Sequence, residues 1–185
     1  MSFVEETTVS RCPRPIAGTA GPLLALALAL GCASPTRQEQ PEIAAVYLEA
    51  GRYEDAAREA EIALRRRPDD VALRKLAARA HQGLGDVDRA IAHLEMAFDQ
   101  APADPEISVA LGELEQQREN LPDAYVAFRR ATELAPGDIR AWSGLALAAE
   151  ALGFENEAVD AYARWAELER QEQGLEPSEQ EGSRP

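Results

Sequence analysis

Residues 51–68 read GRYEDAAREAEIALRRRP, and residues 85–102 read GDVDRAIAHLEMAFDQAP. Both open on glycine, carry alanine at their sixth and thirteenth positions, and close on proline. The offset of 34 residues continues outward: Ala56, Ala90, Ala124 and Ala158 form one column, Ala63, Ala97 and Ala131 a second, and Pro68, Pro102 and Pro136 a third. Gly51, Gly85 and Gly153 share another, with Glu119 in its gap. Ile43, Ala77, Leu111 and Leu145 are each followed by a small residue, Ala44, Ala78, Gly112 and Ala146. Ala60, Leu94, Phe128 and Tyr162 make a column of mostly larger side chains. Self-similarity at a fixed period of this length marks a stack of supersecondary units.

The composition says which units these are. Alanine, the strongest helix former, supplies much of the apolar 45%, and aromatics are only 5% of the chain. β-branched and aromatic runs are scarce, which excludes a strand-rich fold. Each unit is expected to be two antiparallel helices joined by a tight turn. Small residues recur where the helices cross closely, because a larger side chain forces the axes apart. The turn glycines suit a left-handed residue that ends a helix. At the third turn, 119–122 read ENLP; Pro122 fits a first helical turn, and Asn120 is expected to cap it or to take the turn conformation. Glu54 with Arg58 and Glu61 with Arg65 are spaced as i,i+4 ion pairs.

The period and columns resemble the tetratricopeptide repeat. That family places Trp, Leu, Gly and Tyr in the first helix of each unit and Ala, Phe and Pro across the second. The fourth unit offers Trp142, Leu145, Ala146, Ala158 and Tyr162, and the third Leu111, Gly112, Ala124, Phe128 and Pro136. The resemblance implies an all-α, right-handed solenoid of about four antiparallel helix pairs over residues 41–171. The repeats fall at about 37–70, 71–104, 105–138 and 139–172. Pro41 is expected to open a shortened first helix. Trp165, where the other units have alanine, is expected to cover the end of the stack or to join a docking surface. Residues 172–185, EQGLEPSEQEGSRP, read as a disordered acidic tail.

Ahead of the repeats, residues 16–30, IAGTAGPLLALALAL, carry no charge and follow Arg11 and Arg14. A basic flank, a short apolar run and small residues after it describe an export signal. The run is shorter than the ~20 residues of a spanning helix, though Gly31–Ser34 bring it to the border, so an uncleaved inner-membrane anchor is the alternative. Ala29-Leu30-Gly31-Cys32-Ala33-Ser34 resembles the lipobox of bacterial lipoproteins. The resemblance implies a signal peptide over 1–31, a diacylglycerol thioether on Cys32 and a tether over 32–40. The competing reading is an ordinary signal cleaved upstream, for instance after Ala29, leaving a free cysteine.

The net charge of −14 disfavours nucleic acid, whose phosphates need clustered cations. No phosphate-cradling glycine loop, nucleophile elbow or His-Glu-x-x-His stands in the chain. His81 and His93 lie in different helices, without a third ligand at metal spacing, and read as structural. No cofactor, metal, catalytic residue or small-molecule substrate is expected, so the chain is not expected to be an enzyme.

In the family, the first helices line a concave groove that holds a peptide or a helix. By repeat phase this resemblance places Lys75, Arg79, Glu106, Glu113, Gln116 and Arg140 there. A related subclass grips a terminal carboxylate with a lysine–asparagine–arginine clamp; here Pro41 and Ala45 occupy the first unit's clamp positions, which excludes it. The expected function is a membrane-tethered adaptor for protein partners in the bacterial cell envelope, on the periplasmic face of the outer membrane, in the assembly of a pilus, secretin or outer-membrane machine. A subunit of an envelope enzyme complex is the rival.

Overall fold

The computed structural model describes residues 39–174. The expected signal peptide, Cys32, residues 32–38 of the tether and residues 175–185 of the tail lie outside them. The described residues form eight α-helices and no strand: α1 (Glu39–Glu49), α2 (Tyr53–Leu64), α3 (Val71–Gly83), α4 (Val87–Gln100), α5 (Pro105–Gln117), α6 (Leu121–Leu134), α7 (Ile139–Leu152) and α8 (Glu155–Glu172). Each packs on the next, as four consecutive helix pairs. The first helices of successive pairs also touch, α1 with α3 and α5 with α7, whereas the second helices make no comparable contacts with one another. The first helices therefore form the inner, concave face and the second helices the splayed outer one. Among the described residues, no helix is long and apolar enough to cross a membrane.

The alanine columns are the crossing points. Ala56, Ala90, Ala124 and Ala158 are buried, as are Ala63, Ala97 and Ala131. Ala124→Leu is expected to cost about 1–3 kcal/mol by overpacking, whereas Ala103→Leu, exposed in the turn before α5, should change little. Closely similar denaturation midpoints for the two would contradict the assigned repeat phase. Among the described residues Phe128 is the largest fully buried side chain. Its ring lies against two glycines: a Cβ on Gly144 would meet it at 2.4 Å and one on Gly112 at 2.8 Å.

Another column fixes the helix starts. Asp70, Asp104 and Asp138 recur at 34 residues and cap α3, α5 and α7, each carboxylate accepting from a backbone N–H of the first turn. Asp86 caps α4 in the same way.

The structure corrects several expectations. α1 begins at Glu39, two residues before Pro41, so the tether ends earlier than residue 40. A proline there is tolerated because first-turn N–H groups have no intrahelical acceptor. Glu119, not Asn120, takes the left-handed conformation of the third turn (φ 63°), alongside Gly51, Gly85 and Gly153. Asn120 does not cap α6 with its side chain. Its amide instead donates to Glu115 Oε2 (2.9 Å) and Asp123 Oδ2 (2.6 Å). Glu115 is buried and also accepts two bonds from Arg118, at 2.6 and 3.1 Å. This network ties down a turn that lacks its glycine. Arg58 pairs with Asp55 (3.0 Å), which also pairs with Arg52, rather than with Glu54. Glu61 turns away from Arg65 and toward His81. Trp165 is half-buried, with its ring 6.0 Å from that of Tyr162.

Candidate functional site

The inner face carries two adjoining clefts. One of ≈ 520 Å³ is lined by Val71, Ala72, Lys75, Leu76, Arg79, Asp104 and Glu106. The other, ≈ 320 Å³, lies between the first two pairs and is lined by Leu48, Tyr53, Arg79, Gln82 and Gly83. Arg79 borders both. Tyr53 lies directly on Gly83, where a Cβ would meet its ring at 2.4 Å, so this glycine is what lets the tyrosine form the wall.

The structure brings four of the six groove residues together as ion pairs between neighbouring repeats. Lys75 of α3 is paired with Glu106 of α5 and reaches Asp104 at 3.1 Å. Partial burial opposes its charge, but hydrogen bonds and Coulomb attraction from Glu106 and Asp104 outweigh that and hold the ammonium above its ordinary value. Arg140 of α7 stands 3.8 Å from Glu113 of α5. Gln116 is half-buried on the same helix. Arg79 is exposed and has no ion-pair partner among the described residues. The expectation of Lys75 and Arg79 as a free cationic pair is therefore half corrected. Lys75 is neutralised from the next repeat, and Arg79 is left with an uncompensated charge.

Glu113 titrates above the usual carboxylate range, because burial disfavours its charge and Asp138 repels it, against the pull of Arg140. A carboxyl raised in the folded state favours folding in its neutral form. Its contribution is full below the unfolded pKa of about 4.5 and is lost as pH rises through the folded value. Glu113→Gln should therefore melt higher than the parent at pH 7, and the difference should vanish near pH 4. A variant less stable than the parent at pH 7 would show that the Arg140 pair outweighs burial.

A second cluster escaped the sequence. His81 of α3 is buried, and its ring stacks on that of His93 of α4 at 5.4 Å and 13°. Its Nε2 lies 3.3 Å from Glu61 Oε1 of α2. Burial, then the neighbouring His81 and Arg74, push the His93 imidazole below its ordinary pKa and favour its neutral form. The third potential ligand that chain spacing did not supply comes from the preceding repeat. The Tyr53 wall was also missed; its only signal is a glycine that ends α3 one residue after the groove column.

Comparison with known proteins agrees with the fold. Residues 47–114 match the tetratricopeptide repeat family. Over 81 residues the chain is 35% identical to the human PEX5-related protein, covering 44% of this chain and 13% of that protein; the chain thus spans about an eighth of this relative's length. A crystal structure of MamA superposes with a TM-score of 0.73 at 19% identity, covering 82% of this chain and 89% of that one. MamA from Desulfovibrio magneticus RS-1 gives 0.68 at 20% identity, over 74% and 77% of the two chains. The described residues thus adopt the right-handed, all-α solenoid of helix pairs that the 34-residue columns imply.

Proposed function

We propose that the chain is a lipid-anchored adaptor of a bacterial cell envelope. Cys32 carries the anchor, and the solenoid holds a segment of a partner protein in its concave groove without doing chemistry on it. The observation that carries the groove assignment is Arg79, a cation without an ion-pair partner among the described residues that borders both clefts, beside Lys75 and Arg140, which are paired. An acidic side chain or a terminal carboxylate of the partner supplies the missing charge, with Tyr53, Leu48 and Leu76 offering apolar contact beside it. The chain carries a net charge of −14, so such a segment is disfavoured over most of the remaining surface. The Gly31–Cys32 junction behind the apolar run supports the anchor. Ala33 stands where an inner-membrane retention signal of this class has aspartate, which favours the periplasmic face of the outer membrane. Assembly of a pilus, secretin or outer-membrane machine is the process such an adaptor suits, by analogy of architecture alone.

The test is Arg79→Glu, with affinity for a groove-captured partner measured at two salt concentrations. We expect affinity to fall on the order of tenfold at low salt and less at high salt, with circular dichroism unchanged. Equal affinity for parent and variant at both salts would remove Arg79 from the site. Lys75→Glu is the poorer probe, because it sets a third carboxylate against Asp104 and Glu106.

A further inference from the structure

We propose that Glu61, His81 and His93 form a binding site for one divalent first-row transition-metal ion, zinc foremost, which staples the first repeat to the second. Glu61 comes from α2, His81 from α3 and His93 from α4, so the three ligands bridge three helices and two repeats. One ligand atom from each lies within 4.8 Å of the others. Tetrahedral zinc, with bonds of about 2.0–2.1 Å, needs its ligands about 3.4 Å apart, so closure asks for movement on the order of 1 Å. Glu61 can supply it, since its side chain is 45% exposed, and His93 can turn because it is only partly buried.

Two further observations point to a ligand. His81 is 98% buried (2% exposed), and the buried Nδ1 atoms of both His81 and His93 have no hydrogen-bond partner. Two imidazoles stacked with unpartnered nitrogens are poorly satisfied as mere packing. In addition, His81 has carboxylates on both edges of its ring. Nε2 faces Glu61 at 3.3 Å, and Nδ1 faces Asp86 Oδ2 at 4.0 Å. With a metal on Nε2, the Nδ1 proton faces Asp86 across 4.0 Å, and a side-chain shift on the order of 1 Å would complete the carboxylate–histidine–metal arrangement that orients a ligating ring. Two neutral imidazoles and one carboxylate suit zinc, and three protein ligands leave one position open to water. Arg74 and Arg89 lie close enough to disfavour positive charge on His93 and oppose the ion; Glu61 and Asp86 offset them.

The test uses the full chain with Cys12 and Cys32 changed to serine in every protein compared, so that thiols do not compete. Zinc chloride is titrated by calorimetry into the parent, Glu61→Gln, His93→Gln and the exposed control Glu95→Gln. His81 is left intact because its loss threatens the fold. We expect one zinc per chain, at least tenfold weaker binding in Glu61→Gln and His93→Gln, and no change in Glu95→Gln. Zinc at a hundred times its Kd should raise the parent's Tm by about 5–10 °C. Long-range proton–nitrogen spectra should show a nitrogen of each histidine shifting on zinc addition. Equal affinity in all four proteins, no Tm change, or imidazole nitrogens that do not move would each overturn the proposal.

Discussion

Cys32→Ala is expected to abolish lipid attachment completely and to leave the precursor uncut at that junction. The attachment chemistry needs a thiol, and the only other cysteine, Cys12, precedes the apolar run rather than following it. A hydroxyl or methyl at position 32 offers no thioether, and the peptidase of this class cuts only after the lipid is in place. Radiolabelled palmitate and the mass of the N-terminal peptide read the two events separately. Label retained by Cys32→Ala would contradict the lipoprotein assignment. An unlabelled parent that keeps residues 1–31 would instead favour the uncleaved anchor.

Phe128→Ala is expected to cost about 3–5 kcal/mol, a large share of the ~5–15 kcal/mol that holds a domain of this size together. The ring is 1% exposed and joins the core built from α6, α7 and α8. Its removal leaves a cavity that Gly112 and Gly144 cannot fill, since neither has a side chain. The same geometry predicts the reverse experiment. Gly144→Ala should destabilise, although alanine is worth about 1 kcal/mol more than glycine inside a helix, because the new Cβ meets the ring at 2.4 Å. In combination with Phe128→Leu the penalty should shrink, and a double-mutant cycle on denaturation midpoints measures that coupling. Additive effects would mean that glycine and ring do not share one space.

The helix pairs were legible because each column reports a contact repeated in every unit. Ala124 is buried for the same reason as Ala90, and Gly85 turns left-handed for the same reason as Gly51. What the columns did not carry are contacts made once. Glu119 holds a left-handed turn without glycine because Glu115, in the column of His81, happens to reach Arg118 and Asn120. The pairing of Lys75 with Glu106 joins residues 31 positions apart, and Glu61 meets His81 across 20. They depend on how neighbouring helices cross and which rotamers they allow, which no period records. The capping column Asp70, Asp104 and Asp138 stands in the sequence with the full 34-residue spacing, two residues after the proline column. Repeat phase puts the expected groove residues on the first helices of their pairs, whereas their charge balance, with Lys75 and Arg140 paired and Arg79 without an ion-pair partner among the described residues, emerges only from side-chain geometry.

The most direct test of the adaptor reading is site-specific photocrosslinking in the native envelope. A photoreactive residue at Gln82, exposed in the groove beside Arg79, is compared with one at Val126, exposed on outer helix α6. Gln82 is expected to capture one or a few defined proteins, capture should fall on Arg79→Glu, and Val126 should not capture the same species. Identical captures from both positions, or a Gln82 capture indifferent to Arg79→Glu, would contradict a partner held in the concave groove.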